Sequence, residues 1–130
     1  MRAITDASVK NGRSTHSYYL TTWNGKVIAE RKFRGLADRS TEAEMNTIEC
    51  LLKYCLDKGF DNIKIYSDCQ RVVEAVNNGT NKGIDVTYLK HLLKVTNSKL
   101  RWTKRKNVSR CDRNCRNVGK RKFVKGKIVS

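Results

Sequence analysis

The 130-residue chain contains no proline, and no stretch rich in Gly, Ser or Pro divides it. It therefore lacks the composition of an interdomain linker, and its length fits one domain with a hydrophobic core. No apolar run approaches the roughly 20 residues that span a bilayer. The first ten residues, MRAITDASVK, lack the apolar core of a signal peptide. We expect one soluble, cytoplasmic domain that does not enter a membrane.

Cysteine pairs with metal-binding spacing are also absent. The chain has five cysteines, an odd number, and none of them forms a CxxC pair. This pattern argues against a zinc site. Four of the cysteines stand at apolar helical positions, where we expect small buried thiols in a reducing compartment.

Acidic residues are scarce relative to basic ones. Twelve Asp and Glu stand against 28 Lys and Arg, which gives a net charge of +16. Repulsion between so many positive charges destabilises the folded state, and a polyanionic partner would relieve it. Nucleic acid is the first expectation. An anionic membrane surface is the rival, but the basic residues do not line one face of a helix whose other face is broadly apolar.

The basic residues concentrate at one end of the chain. From Arg101 to Ser130 there are 12 Lys and Arg and one acid, Asp112. This asymmetry predicts that the carboxyl-terminal part contacts the polyanion. For residues 120–130, a solvated basic tail is the alternative.

The spacing of apolar residues predicts strands and helices. A short strand at 3–5 ends on Asp6, and after a turn-rich loop a hairpin with an Asn-Gly turn completes a three-stranded antiparallel meander. The longest helix follows, with Ser40 or Thr41 as its N-cap and Gly59 as its stop. The later elements are a strand, two helices, a strand and a short amphipathic helix, at 61–67, 69–79, 86–97, 99–104 and 109–120. The order β-β-β-α-β-α-α-β-α predicts an α/β fold.

Four acids stand at the ends of strands or in the first turns of helices: Asp6, Glu44, Asp68 and Asp112. Each has a structural alternative. Glu44 could close a capping box with Thr41, Asp68 could cap the helix after it, and Asp6 could organise the loop that follows. Asp112 could interact favourably with the dipole of the last helix, in whose first turn it would lie.

Taken together, the four acids predict a metal site. Strand ends and helix starts can converge on one side of an α/β sheet, which would bring the carboxylates together. Crowded carboxylates raise one another's pKa unless divalent cations neutralise them, and hard oxygen ligands suit Mg²⁺ or Mn²⁺. In a basic chain that holds phosphate backbones, this chemistry indicates phosphodiester hydrolysis with two ions about 4 Å apart.

The motifs ITDAS, STEAEMNTIECLLKYC and IYSDCQRVVEAV, in that order, resemble those of type 1 ribonuclease H and its reverse-transcriptase-like relatives. The resemblance implies a ribonuclease H-like fold over 1–119, followed by a basic carboxyl-terminal tail at 120–130. That fold has a five-stranded mixed sheet with helices on both faces. The resemblance also implies a metal-dependent endonuclease that hydrolyses the RNA strand of RNA–DNA hybrids with two Mg²⁺ or Mn²⁺ ions. A monomer is the default expectation for one compact basic domain.

The metal ligands of the family fall on acids of this chain. Asp6, Glu44 and Asp68 match the first three ligands. In WTKRKNVSRCDRNCR, Asp112 falls on the fourth ligand, although Cys111 replaces the usual Ala and the expected Asn is out of step by one position. The resemblance therefore implies that all four acids are catalytic metal ligands.

The resemblance further implies how the hybrid is held. Contacts with 2′-hydroxyl groups would come from the backbone near Ala7 and Ser8, from Glu44, and from Ser40 and Thr41. Phosphates would be held by basic residues near the end of the chain, which would make affinity sensitive to salt. These basic residues are Lys104, Arg105, Lys106, Arg110 and Arg113.

Two alternative functions stay open. The irregular fourth motif is compatible with a hybrid or double-stranded RNA binding module that has lost the chemistry. A nuclease of the same superfamily that acts on DNA is the second alternative, because the fold alone does not decide the substrate. His16 is also open to two interpretations, since it could contact substrate or join the buried face of the hairpin.

Overall fold

The computed structural model describes residues 1–79 and 83–105. In chain order, the elements are β1 (Arg2–Lys10), β2 (Arg13–Thr21), β3 (Val27–Gly35), α1 (Ser40–Lys58), β4 (Lys64–Ser67), α2 (Gln70–Asn78), α3 (Thr87–Val95) and β5 (Lys99–Trp102). The predicted order is confirmed over these residues. The predicted last helix, at 109–120, lies outside them, as does the tail at 120–130.

The five strands form one mixed sheet in the order β3-β2-β1-β4-β5. β1 pairs with β2, and β2 with β3, in antiparallel fashion, whereas β1 with β4 and β4 with β5 are parallel. Short turns suffice for the antiparallel pairs, but parallel strands need longer crossovers. α1 supplies the first crossover, and α2 with α3 supplies the second. The predicted five-stranded mixed sheet is confirmed.

The first strand is longer than predicted. It pairs with β2 from Arg2 to Lys10, and the two strands are joined at Asn11 and Gly12. Both of these residues have positive φ, 54° and 73°, as a two-residue hairpin turn of the favoured hand requires. The predicted end at Asp6 is therefore wrong: the Asn-Gly pair that seemed part of a long loop is a tight turn, and Asp6 lies inside β1.

The long helix α1 has the predicted stop but not the predicted cap. Gly59 follows it in the left-handed conformation, with φ of 75°. Arg39 occupies the N-cap position and makes no side-chain cap bond, so neither Ser40 nor Thr41 caps the helix. α1 packs on β1 and β2.

The core lies between the sheet and the helices. α1 contacts both α2 and α3, and its apolar side buries Ile48, Leu51, Leu52 and Cys55. Of the other described cysteines, Cys50 and Cys69 are half-buried, and all three are free thiols. No helix within residues 1–79 and 83–105 is long and apolar enough to cross a membrane.

Candidate active site

Three of the four predicted acids meet at one edge of the sheet. Asp6 comes from β1, Glu44 from α1, and Asp68 from the residues just after β4. One carboxylate oxygen of each lies within 4.8 Å of the other two. We call these three carboxylates the acidic centre. Asp112, the fourth predicted ligand, lies outside the described residues.

The pairing of the strands explains why Asp6 and Asp68 meet. β1 and β4 run parallel, and their last paired residues are Ile4 and Tyr66. Asp6 and Asp68 each stand two residues beyond this pair, so both lie past the carboxyl end of β4. This is where open α/β sheets place their ligands. The error about the length of β1 therefore leaves the predicted convergence intact.

Hydrogen bonds fix Glu44 in the acidic centre. Its Oε1 atom accepts hydrogen bonds from the hydroxyl groups of Thr5, at 2.9 Å, and Ser67, at 3.0 Å. Only 3% of Glu44 is exposed to solvent. The capping-box alternative is wrong, because α1 has no side-chain cap bond and Glu44 points toward the sheet strands instead.

Asp68 does not cap the helix that follows it. Cys69 is the N-cap residue of α2, which has no side-chain cap bond. The Cys69 amide donates a hydrogen bond to the Ser67 hydroxyl at 3.1 Å. Ser67 thus provides the side-chain hydrogen bond in the turn between β4 and α2. The Asp68 carboxylate faces the acidic centre instead.

Burial and repulsion within the acidic centre favour the protonated acids. Burial, followed by the charges of Glu44 and Asp68, raises the pKa of Asp6 to about 8. Burial also raises the pKa of Glu44 to about 7, although the hydrogen bonds from Thr5 and Ser67 act in the opposite direction. Holding all three acids ionised is therefore costly unless a cation binds between them.

One cation of the chain lies at the rim of the acidic centre. The Arg105 guanidinium donates a hydrogen bond to Asp68 at 3.1 Å, while 68% of the Arg105 side chain is exposed. Burial dominates the pKa values of Asp6 and Glu44, but the charge of Arg105 acts to lower both. Arg105 therefore neutralises only part of the charge, from an exposed position where water screens it.

The donor set fits a hard divalent cation. It consists of carboxylate oxygens from three elements, close enough to share one ion, and no cysteine or histidine belongs to it. Mg²⁺ and Mn²⁺ prefer oxygen ligands of this kind. The predicted metal chemistry is thus compatible with the residues that the structure brings together.

Sequence comparison places this arrangement in a family. The family model described as reverse transcriptase-like matches residues 4–118, which is most of the chain. The chain belongs to the reverse transcriptase-like family. The family model spans all four predicted acids, and the resemblance to type 1 ribonuclease H and its relatives is confirmed. A comparison with curated protein sequences finds no match.

Solved structures confirm the ribonuclease H-like fold of this family member. RNase H1 from the halophilic archaeon Halobacterium salinarum NRC-1 superposes with a TM-score of 0.78 at 18% identity, covering 89% of this chain and 94% of that chain. LC11-RNase H1 in complex with an RNA/DNA hybrid gives a TM-score of 0.78 at 13% identity, with the same coverage. The N-terminal RNase H domain of Rv2228c from Mycobacterium tuberculosis gives 0.73 at 17% identity, covering 89% and 91%.

Several predicted substrate contacts of this family member lie on the elements that carry the acidic centre. Ala7 and Ser8 follow Asp6 on β1, and the Ser8 hydroxyl is hydrogen-bonded to that of Thr15 at 2.7 Å. Ser40 and Thr41 begin α1, one turn before Glu44. Lys104 and Arg105 are exposed beyond β5. The other predicted phosphate contacts, Lys106, Arg110 and Arg113, lie outside the described residues.

Sequence analysis missed the two hydroxyl groups that hold Glu44. Thr5 alternates with Ala3 on the buried side of β1, and Ser67 continues the buried alternation of Ile63 and Ile65. A polar residue at a buried position of a strand is the signal that could have revealed them, because a buried hydroxyl needs a hydrogen-bond partner.

His16 belongs to the core. It is 2% exposed and stacks on Phe33, with ring centroids 4.6 Å apart, so the substrate-contact interpretation is wrong. Its Nδ1 atom lies 2.8 Å from the Thr47 hydroxyl, which donates to the Ala43 carbonyl, and its Nε2 atom lies 2.7 Å from the Ser14 hydroxyl. We call Ser14, His16 and Thr47 the His16 network.

The donors of the His16 network form a consistent series. In this series the Thr47 hydroxyl donates to Ala43, and Nδ1 of His16 donates to Thr47. Nε2 can then accept the Ser14 proton, while the Ser14 oxygen accepts the Ala37 amide at 3.2 Å. Burial lowers the pKa of His16, which favours this neutral form. The His16 network thus joins β2, the loop before α1, and α1 itself.

Proposed function

We propose that this chain is an endonuclease that uses divalent metal ions to hydrolyse the RNA strand of RNA–DNA hybrids. The meeting of Asp6, Glu44 and Asp68 beyond the carboxyl end of β4 carries the proposal. Family membership supports it, as does the likeness of the fold to RNase H1 structures, one of which was solved in complex with an RNA/DNA hybrid. The net charge of +16 suits a nucleic acid substrate.

Asp6, Glu44 and Asp68 would hold Mg²⁺ or Mn²⁺, with Asp112 as the proposed fourth ligand. A bound pair of such ions activates a water and stabilises the leaving oxygen of an in-line displacement at phosphorus. Burial and repulsion raise the pKa values of Asp6 and Glu44. A bound cation would offset both effects and stabilise the ionised carboxylates.

Other residues prepare the acidic centre for this reaction. Thr5 and Ser67 donate to Glu44, which orients its carboxylate and favours the ionised form needed for metal binding. The exposed Arg105 at the rim of the centre is placed to hold a phosphate next to the bond that breaks. In this proposal, Ser40, Thr41 and the backbone at Ala7 and Ser8 contact 2′-hydroxyl groups and select RNA.

The test is the cleavage of end-labelled substrates with Mg²⁺, with Mn²⁺ and with a chelator. RNA–DNA hybrid, double-stranded RNA and double-stranded DNA are compared, using the wild type, Asp68→Asn and Asp61→Asn. Asp61 is exposed and lies outside the acidic centre, so its variant makes the same change of charge without touching the site. We expect metal-dependent cutting of the RNA strand of the hybrid, lost in Asp68→Asn and retained in Asp61→Asn.

Two results would overturn this proposal in different ways. Tight hybrid binding without cutting in either metal would identify a binding module that has lost the chemistry. Cutting of DNA in preference to the hybrid would identify a DNA-directed nuclease of the same fold.

A further inference from the structure

A basic groove lies along the outer edge of the sheet. β5 is the last strand in the sheet order, so one side of it pairs with β4 and the other side pairs with no strand of the described part of the chain. Beside this edge, α2, α3 and β5 enclose an open groove of about 320 Å³. We call it the β5 groove, and its charged lining residues are Lys90, Lys99 and Arg101.

The charge of the β5 groove fits a polyanion. Lys90, Lys99 and Arg101 are all exposed, and none of the described residues that line the groove is acidic. Across residues 83–105 there are six Lys and Arg and a single acid, Asp85. Cations gathered without acids repel one another. The charges of a bound phosphate backbone relieve this repulsion, and the release of its counterions favours binding.

The wall of the β5 groove is held in place before any ligand binds. Asn77, at the end of α2, donates a hydrogen bond to the backbone carbonyl of Leu100 at 2.9 Å and so ties the helix to β5. Leu93 and Leu100, which also line the groove, are 6% and 1% exposed and belong to the core. A ligand therefore meets a formed surface and need not order it, which lowers the cost of binding.

β5 connects this groove to the acidic centre. The strand runs parallel to β4, and its last residue, Trp102, pairs with Ser67, the residue before Asp68. Lys99 and Trp102 are three residues apart on the strand, which rises about 3.3 Å per residue, so they are separated by about 10 Å. Arg105, three residues further on, reaches Asp68. A chain of phosphates that leaves the acidic centre along β5 would thus meet Arg105 first and the groove next.

Trp102 adds a surface on which a base can stack. It is 49% exposed, and in the sequence it follows Arg101 of the groove and precedes Arg105. Surfaces that combine a basic groove with exposed aromatic rings hold single-stranded nucleic acid, because unpaired bases offer their faces for stacking. Paired bases inside a duplex do not offer them, and a duplex is too thick to enter a groove of this size.

We propose that the β5 groove and Trp102 bind a single-stranded extension of the nucleic acid whose hybrid part lies at the acidic centre. This inference rests on the proposed function, since it places the hybrid at Asp6, Glu44 and Asp68. It predicts that the preferred substrate is a hybrid that continues into a single strand, as RNA or as DNA.

The test measures binding in the presence of a chelator, so that cleavage plays no part. Labelled hybrids are compared with a blunt end and with an RNA or DNA extension of about six nucleotides, within the roughly 4 to 16 that such sites hold. The groove variant carries Lys90→Ser, Lys99→Ser and Arg101→Ser. The control variant carries Lys26→Ser, Lys53→Ser and Lys58→Ser, which removes three exposed cations that lie outside the groove.

We expect the wild type and the control variant to bind an extended hybrid about tenfold more tightly than a blunt one, because the groove cations contact phosphates of the extension and Trp102 stacks on a base. The groove variant should lose this advantage and keep its affinity for the blunt hybrid. Its salt dependence on the extended hybrid should fall by about 2 in slope, for three lost phosphate contacts to a single strand. Trp102→Ala should lower the advantage with a smaller change in salt slope.

Equal affinity of the wild type for blunt and extended hybrids would overturn the inference. An equal loss of affinity for both hybrids in the groove and control variants would do so too, because it would show only a general effect of charge. The proposed function fails separately, through the absence of cleavage of a blunt hybrid with Mg²⁺ or Mn²⁺. An advantage for extended hybrids without any cleavage would support the groove and overturn the endonuclease.

Discussion

The acidic centre and the His16 network are two buried polar clusters that share α1, and they solve the problem of burial differently. In the His16 network, the ring is neutral and both of its nitrogens face a hydroxyl group at hydrogen-bond distance. In the acidic centre, burial and the repulsion between carboxylates raise the pKa values of Asp6 and Glu44. One cluster is satisfied by hydrogen bonds within the chain, whereas ionising the other is costly unless a cation binds.

This difference separates polar groups buried for stability from polar groups buried for function. A satisfied network stabilises the fold, since removing one member costs each of its partners a hydrogen bond. A cluster of like charges destabilises the fold and is retained where its chemistry is needed. The same kind of substitution should therefore have opposite effects on stability in the two places.

The largest expected effect is on the reaction. Glu44→Gln keeps the size of the side chain but removes one metal-binding charge, so hydrolysis of the hybrid should fall by at least about a thousandfold, or roughly 4 kcal/mol. The measurement is the initial rate under saturating Mg²⁺, with circular dichroism to verify folding. A well-folded Glu44→Gln variant with nearly full activity would exclude Glu44 from the reaction.

The second effect is on stability: without bound metal, a variant that removes a charge from the acidic centre should be more stable than the wild type. The folded pKa of Asp6, about 8, is above its unfolded value near 3.9, so the wild type loses stability as pH rises from about 4 to about 8. Asp6→Asn resembles the protonated acid and escapes this loss. Its advantage over the wild type should grow by roughly 4 kcal/mol between pH 5 and pH 8.

Urea denaturation of both proteins in a chelator, at the two pH values, measures this advantage. Saturating Mg²⁺ should shrink it, because the metal binds the folded wild type and stabilises it. If Asp6→Asn is no more stable than the wild type at pH 8 without metal, the acidic centre carries no repulsive cost.

The third effect is a loss of stability in the His16 network. His16→Ala removes the stacking on Phe33 and one hydrogen bond each of Ser14 and Thr47, which should cost about 2 kcal/mol of unfolding free energy. His91→Ala is the matched control, since His91 is exposed on α3 and its loss should change stability by less than about 0.5 kcal/mol. Equal effects of the two variants would show that the network does not stabilise the fold.

The smallest effect should come from the hydroxyl groups that donate hydrogen bonds to Glu44. Ser67→Ala removes one of two hydrogen bonds to Glu44 that favour its ionised form, so the pKa of Glu44 should rise. The rate of hydrolysis at neutral pH should fall about fivefold, consistent with about 1 kcal/mol for one hydrogen bond. The pH profile should move to higher pH, and an unchanged profile would mean that Ser67 serves only the turn at Cys69.

Much of the fold could be predicted from local patterns. The three-to-four-residue repeat of α1 and its Gly59 stop are confirmed, because amphipathic spacing and the conformational freedom of glycine act within a few residues. The end of β1 could not be predicted in this way. Pairing with β2 extends β1 to Lys10, and a pairing partner is not encoded in the strand's own residues.

The candidate site also has residues that could be predicted from the sequence and residues that could not. The types and order of Asp6, Glu44 and Asp68 can be read from the sequence and compared with a family, because acids before and within helices stand out in a basic chain. Thr5, Ser67 and the His16 network could not be found so directly. Each of them acts through a partner more than 20 residues away in sequence, across different elements.

The sequence by itself determined the α/β order, the excess of positive charge and the acids suited to hold a metal, since these follow from composition and local spacing. Only the tertiary structure decided that three acids share one site within 4.8 Å, that Arg105 contacts Asp68, and that His16 is buried. The physical reason is that repulsion, burial and hydrogen bonding depend on distances between elements, which are fixed only when the sheet and its helices pack together.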